Sequence, residues 1–85
     1  MLIPLYGFVQ GDTLGLLVLA HDHMTVAEVS ERLRESARLR VKRTEAGTLS
    51  FSGRALDPAM TLRELGLRAL DRIDLRFEPA EASHV

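Results

Sequence analysis

His21, Asp22 and His23 set two imidazoles and a carboxylate in one short stretch. Those are the donor types of a zinc or iron site. A site also needs a third side chain that converges on the ion, and no third ligand is within evident reach. Along an extended segment the two imidazoles are expected to diverge. The stretch also falls just before a helix start, where polar residues are common, so Asp22 and His23 read as solvated loop residues. His84 lies in a polar tail. No metal ligand is assigned. The chain has no cysteine, which removes disulfides, thiolate nucleophiles and Cys-ligated metals and fits the cytoplasm. No Gly-rich phosphate loop and no Ser–His–acid spacing is present. Ser50 and Ser52 belong to a strand and a turn, and Gly53 serves that turn. Neither a catalytic nor a cofactor-binding residue is assigned. The arginines are interleaved with acids and the net charge is −1. They describe a solvated face rather than a nucleic-acid surface. The residues point to a binding or structural module.

The elements that position these groups follow from periodicity. A chain of 85 residues makes one domain with a small core. Ile3–Gln10 reads as a strand, with Pro4 near its start where a missing N–H is tolerable. Gln10–Asp12 is a turn and Leu14–Ala20 a second strand, together a hairpin. Thr25 and Glu28 have the spacing of a capping box, with Met24 and Val29 as a hydrophobic staple. Val26, Val29, Leu33 and Ala37 form one apolar stripe, so a helix is predicted to about Arg38. Glu28 and Arg32 are placed for an i,i+4 pair. Leu39–Arg43 and Thr48–Phe51 alternate as strands, joined by a turn at Glu45–Gly47. Thr61 and Glu64 repeat the capping-box spacing before a single helical turn that Gly66 ends. In Arg72–Phe77, Ile73, Leu75 and Phe77 alternate with Arg72, Asp74 and Arg76, which marks a sheet with one buried face. The order predicts an α+β fold: a β-grasp, with a mixed sheet packed on one helix and a short helical turn near 61–66. Residues 1–78 form the domain and 79–85 a polar tail. The opening residues lack a basic region and are broken by Pro4, so no signal peptide is expected. No apolar run approaches the ~20 residues of a membrane span.

The first hairpin departs from this pattern. Leu14, Leu16 and Val18 are apolar on one side of the second strand, and Leu17 and Leu19 on the other. In the first strand Ile3 and Leu5 oppose Tyr6 and Phe8. One helix cannot cover both faces, so a partner is expected to cover the second. With Ile3 and Leu5 turned to the helix, the expected docking set is Tyr6, Phe8, Leu14, Leu16 and Val18.

Thr48–Leu62, "TLSFSGRALDPAMTL", resembles the turn and strand of ubiquitin-like proteins. Conjugating modifiers and sulfur carriers end in Gly-Gly; this chain ends "EASHV", so neither role is expected. Ile3–Val29 resembles the start of the small B (gamma) subunits of bacterial multicomponent toluene and alkene monooxygenases. The match rests on the apolar–Pro pair Ile3–Pro4, the acidic turn residue Asp12, Leu17 and Val18 of an aliphatic strand, and the helix cap Thr25 with Val29. "LRVKR" resembles that family's basic third strand, "DPAMTLRELGL" its Pro-x-Asp-Met-Thr segment and "RIDLRFEP" its last strand. The likeness runs from Ile3 to about Glu78. It departs in a shorter connection after the helix and in Leu56–Ala59, where the family has Phe-Pro-Arg-Asp. The resemblance implies a subunit without chemistry of its own. It packs, one copy each, on a large alpha subunit that carries a carboxylate-bridged di-iron centre and oxidises aromatic or alkene hydrocarbons. A beta subunit dimerises that assembly, and electrons arrive from NADH through a flavin reductase and a Rieske ferredoxin. A ubiquitin-like accessory protein of another complex, such as type VII secretion, is the alternative.

Overall fold

Two apolar runs open the chain and pair with each other. Strand β1 spans Leu2–Val9 and β2 spans Gly15–His21, antiparallel, with Tyr6 opposite Leu17. Gly11 turns the chain at φ +92°, a backbone region glycine enters without steric cost. The Asp12 carboxylate then accepts the Leu14 N–H at 3.3 Å. The computed structural model describes residues 1–42 and 47–77.

Helix α1 (Val26–Ala37) begins at a complete capping box. Thr25 accepts the Glu28 N–H, and Glu28 accepts the Thr25 N–H at 2.8 Å. Its buried residues are Val26, Val29, Leu33 and Ala37, the predicted stripe. Strands β3 (Gly47–Phe51) and β4 (Arg54–Ala55) form a second hairpin. Ser52 and Gly53 both have positive φ, 54° and 78°, as a two-residue turn matched to strand twist requires. Helix α2 (Leu62–Leu65) has its own capping box from Thr61 and Glu64 and stops at Gly66 in the left-handed conformation. Strand β5 (Arg72–Phe77) closes the fold. The sheet order is β2-β1-β5-β3-β4, with β1 and β5 parallel.

The core lies between α1 and one face of this sheet. Leu5, Leu33, Leu49, Leu62, Ile73 and Leu75 are fully enclosed. Gly7 allows the helix to approach β1: a Cβ there would collide with the Leu33 isobutyl group. The two helix starts are laced together. The Val26 N–H donates to the Met60 carbonyl at 2.9 Å, and the Leu62 N–H donates to the Met24 carbonyl at 3.0 Å. Thr25 and Thr61 form a backbone bridge. First-turn amides that a helix leaves without intrahelical partners are satisfied in this way.

Two readings of the sequence are corrected. Leu39–Lys42 is not a strand: the Arg40 and Val41 amides both donate to the Ala37 carbonyl, at 2.9 and 2.8 Å, continuing the end of α1 as a turn. The alternation there reflects Val41 leaning on the core beside exposed Leu39. Arg43, most of the Glu45–Gly47 turn, the 79–85 tail and His84 lie outside the described residues. Arg32 makes no direct ion pair with Glu28, whose carboxylate is held in the capping box, although its charge helps to lower the Glu28 pKa. Its Nη1 instead donates to the Leu19 carbonyl at 3.2 Å, on the open edge of β2.

Candidate docking surface

The His21–Asp22–His23 corner joins β2 to α1. The imidazoles stack, with centroids 5.3 Å apart, instead of diverging, because the chain turns there rather than running extended: the Met24 N–H donates to the His21 carbonyl at 3.0 Å. Asp22 is not solvated: it is 8% exposed. Its carboxylate accepts from the Met1 amine at 2.9 Å, and Arg63 Nε lies 3.4 Å away. The ammonium bond holds this carboxyl below the usual carboxylate range, with further help from Arg63 and His23 against the burial that opposes it. Its backbone adds to the tie, because the Arg63 N–H donates to the Asp22 carbonyl at 2.8 Å. Asp22 is a structural tie between the hairpin and α2. Sequence distance hides this role, since Arg63 is remote in the chain. Among the described residues no three His, Cys, Asp or Glu side chains converge to hold an ion.

The outer face of the first hairpin is apolar. Antiparallel residues that stand opposite each other share a face. Leu5 faces Val18 and Ile3 faces Ala20, all in the core, while Tyr6 faces Leu17 and Pro4 faces Leu19 on the outside. The expected docking set therefore mixes two parities. Tyr6 and Phe8 do lie outside, and Leu14 is exposed before β2. Val18, at 4% exposure, belongs to the core, and Leu16 packs against it from a partly buried position. The residues that take their place are Leu17 and Leu19, exposed at 60% and 52%, beside Tyr6 at 47%. A register shift of one residue exchanges the two faces, and the loop of five residues left the register open. Gly15 is the signal that marks it. A Cβ at Gly15 would sit 2.9 Å from Phe8 Cζ, so glycine gives the ring its place across the strand pair.

Phe8 connects this apolar half to β5. Its ring stacks on Tyr6 at 6.3 Å between centroids, and the Arg72 guanidinium lies 4.2 Å over it. Tyr6, Phe8, Gly15 and Arg72 line an open notch. Beyond it the same sheet face turns polar, with Arg72, Asp74 and Arg76 on β5 and Thr48 and Ser50 on β3. The hairpin turn is fastened separately. Arg40 Nε and Nη2 donate to the two Asp12 carboxylate oxygens, each at 2.9 Å. These bonds lower the Asp12 pKa and raise that of Arg40.

A five-stranded mixed sheet in this order, crossed by one helix, defines a ubiquitin-like β-grasp protein. Ubiquitin from Caldiarchaeum subterraneum superposes with a TM-score of 0.76 at 19% identity, over 94% of this chain and 98% of that one. The ubiquitin-like domain of Plasmodium falciparum Dsk2 gives 0.74 at 20% identity, over 92% and 100%. A chain from a toluene 4-monooxygenase HD complex with the inhibitor 4-bromobenzoate gives 0.84 at 23% identity, over 92% and 100%. No curated protein sequence matches. The family model for toluene-4-monooxygenase system protein B (TmoB) matches residues 2–77. The chain belongs to the toluene-4-monooxygenase system protein B family, as the resemblance over Ile3–Glu78 implies, and is a small subunit of a monooxygenase.

Proposed function

We propose that this chain is a non-catalytic gamma-type subunit that docks the outer face of its first hairpin on the large alpha subunit of a di-iron hydroxylase. The observation that carries the reading is the contiguous exposure of Tyr6, Leu17 and Leu19 on one face of a small domain. Single exposed leucines are ordinary, but an adjoining set on one sheet face points to an interaction surface. Full burial of each leucine contributes about 1.5–3 kcal/mol, set against the rotational and translational cost of association. Aromatic residues inside such patches are common energetic anchors, which gives Tyr6 and Phe8 their part.

Oxygen chemistry belongs to the partner in this reading. The described residues do not fit a di-iron centre: no carboxylate and histidine cluster converges, and Asp12 and Asp22 are each held by a cation. The alpha subunit would hold the irons, a beta subunit would complete the hetero-oligomer, and the substrate would be an aromatic or alkene hydrocarbon. A cytoplasmic setting accords with that assembly, and no helix among the described residues is long and apolar enough to cross a membrane. The secretion-accessory alternative gains no support from the family match.

Co-expression with the large hydroxylase subunits, followed by size-exclusion chromatography, tests the proposal. Wild type should co-elute with one copy per alpha chain. Leu17→Asp with Leu19→Asp should leave a folded monomer that elutes alone. Co-elution of that variant at wild-type stoichiometry would overturn the docking face.

A further inference from the structure

The notch between the hairpin and β5 carries an inference that rests on the docking reading and specifies the partner's chemistry. We infer that Arg72, held over Phe8 beside Tyr6, is a receptor for a carboxylate side chain on the partner's surface.

The guanidinium is already oriented. Its Cζ lies over the Phe8 ring, 4.2 Å from the centroid. Nε and Nη2 donate to one oxygen of Asp74, at 3.3 and 3.0 Å. Nη1 and the second hydrogen of Nη2 have no acceptor among the described residues. The arginine side chain remains 65% exposed, so these donors are open to an incoming acceptor. A protein surface that covers Tyr6 and Leu17 also covers this notch, because Tyr6 and Arg72 line it together and stand opposite each other in the β1–β5 register. Burial would strand those donors unless the partner supplies an acceptor, and an unpaired buried donor of a charged group is costly.

Charge selects the acceptor. The outward residues of β5 are Arg72, Asp74 and Arg76, an excess of one positive charge. Nearby Asp12 is occupied by Arg40, and the Asp71 carboxylate accepts the Arg68 N–H at 2.8 Å. A planar carboxylate matches the free edge of the guanidinium with two parallel bonds, and it balances the excess charge. A backbone carbonyl would leave that charge uncompensated. The fitting partner surface is thus apolar opposite Leu17 and Leu19 and carries an Asp or Glu opposite Arg72.

Affinity of the purified chain for immobilised large hydroxylase subunits, measured at low and high salt, tests this. Arg72→Gln keeps an exposed polar side chain and should fold with an unchanged melting temperature. It should weaken binding roughly tenfold or more and flatten the salt dependence. Arg72→Lys should restore the salt dependence and only part of the affinity, because a point charge lacks the fork. Asp74→Asn releases competition for Arg72 and should tighten binding at low salt. Wild-type affinity and salt response in Arg72→Gln, together with lost binding in Leu17→Asp, would overturn the carboxylate receptor and leave the docking face standing. Wild-type binding in both variants, or no binding by wild type itself, would overturn the docking reading as well.

Discussion

The outer face of the sheet has two halves that solve the same problem differently. On β5 every outward residue is charged, and Arg72 and Asp74 pair with each other. On β1 and β2 the outward residues include Leu2, Tyr6, Leu17 and Leu19, all large and exposed. Both halves rest on one continuous core, so the difference does not come from packing beneath them. It shows that an apolar outward residue in a small sheet is a choice about what lies above it. The β5 half carries its own charge pairing, whereas the hairpin half offers large apolar side chains, the feature on which the proposed docking rests.

Leu33→Ala breaks what the halves share and should have the largest effect. It removes a fully buried side chain under β1 and should cost about 2–5 kcal/mol, read as a lower denaturation midpoint in urea. A loss below about 0.5 kcal/mol, typical of surface positions, would mean that the halves do not share a core. Leu17→Asp with Leu19→Asp breaks the contrast itself. Truncating an interface anchor costs about 2 kcal/mol or more, and a buried unpaired charge adds to it. Association with the large subunits should therefore be lost while the circular dichroism melt stays intact. Gly7→Ala probes the ground under the apolar half alone. The added methyl meets Leu33, and overpacking of this kind costs about 1–3 kcal/mol; calorimetry should show a lower melting temperature. Arg76→Asp on the polar half should change stability by no more than about 0.5 kcal/mol, and a larger loss would show that this half also depends on specific contacts.

Acid separates the halves in another way. The folded-state pKa of Asp12 lies below its ordinary 3.8 because Arg40 bonds to it. Such a group contributes stability fully above its unfolded pKa, and that contribution disappears as pH falls through the lowered folded value. Asp12→Asn should leave neutral-pH folding cooperative and should reduce the pH dependence of stability below about pH 4. An unchanged acid unfolding curve would show that the hairpin turn gains nothing from its Arg40 clip.

Local features were legible in the sequence. Thr25 with Glu28, Thr61 with Glu64, and the strict alternation of β5 each need only a few neighbouring residues, and each is present as read. What failed depended on distant partners. Leu39–Arg43 alternates like a strand, but Val41 reaches the core from a turn. β4 has two residues, too few for any period. The docking set required the hairpin register, and a five-residue loop did not supply it. Tyr6 and Phe8 lie on the outer face as read, while Val18 faces the core with Leu16 packed against it, and Leu17 and Leu19 are the exposed residues of β2. Asp22 looked like a loop residue because the cations that hold it belong to Met1 and Arg63.

The parallel pairing of β1 with β5 joins the two ends of the described chain, with Tyr6 beside Arg72. Contacts between such remote residues must overcome a large loop-closure entropy and form slowly, whereas the β1–β2 hairpin needs only neighbours. During synthesis the hairpin leaves the ribosome before β5 exists. In that interval both of its faces are bare: the side that will carry Ile3, Leu5 and Val18 into the core and the side that will keep Tyr6, Leu17 and Leu19 outside. A two-sided apolar ribbon with an open β2 edge is a template for aggregation. The yield of folded subunit should therefore depend on the timing of expression, and be highest where the large subunits are already present when translation ends.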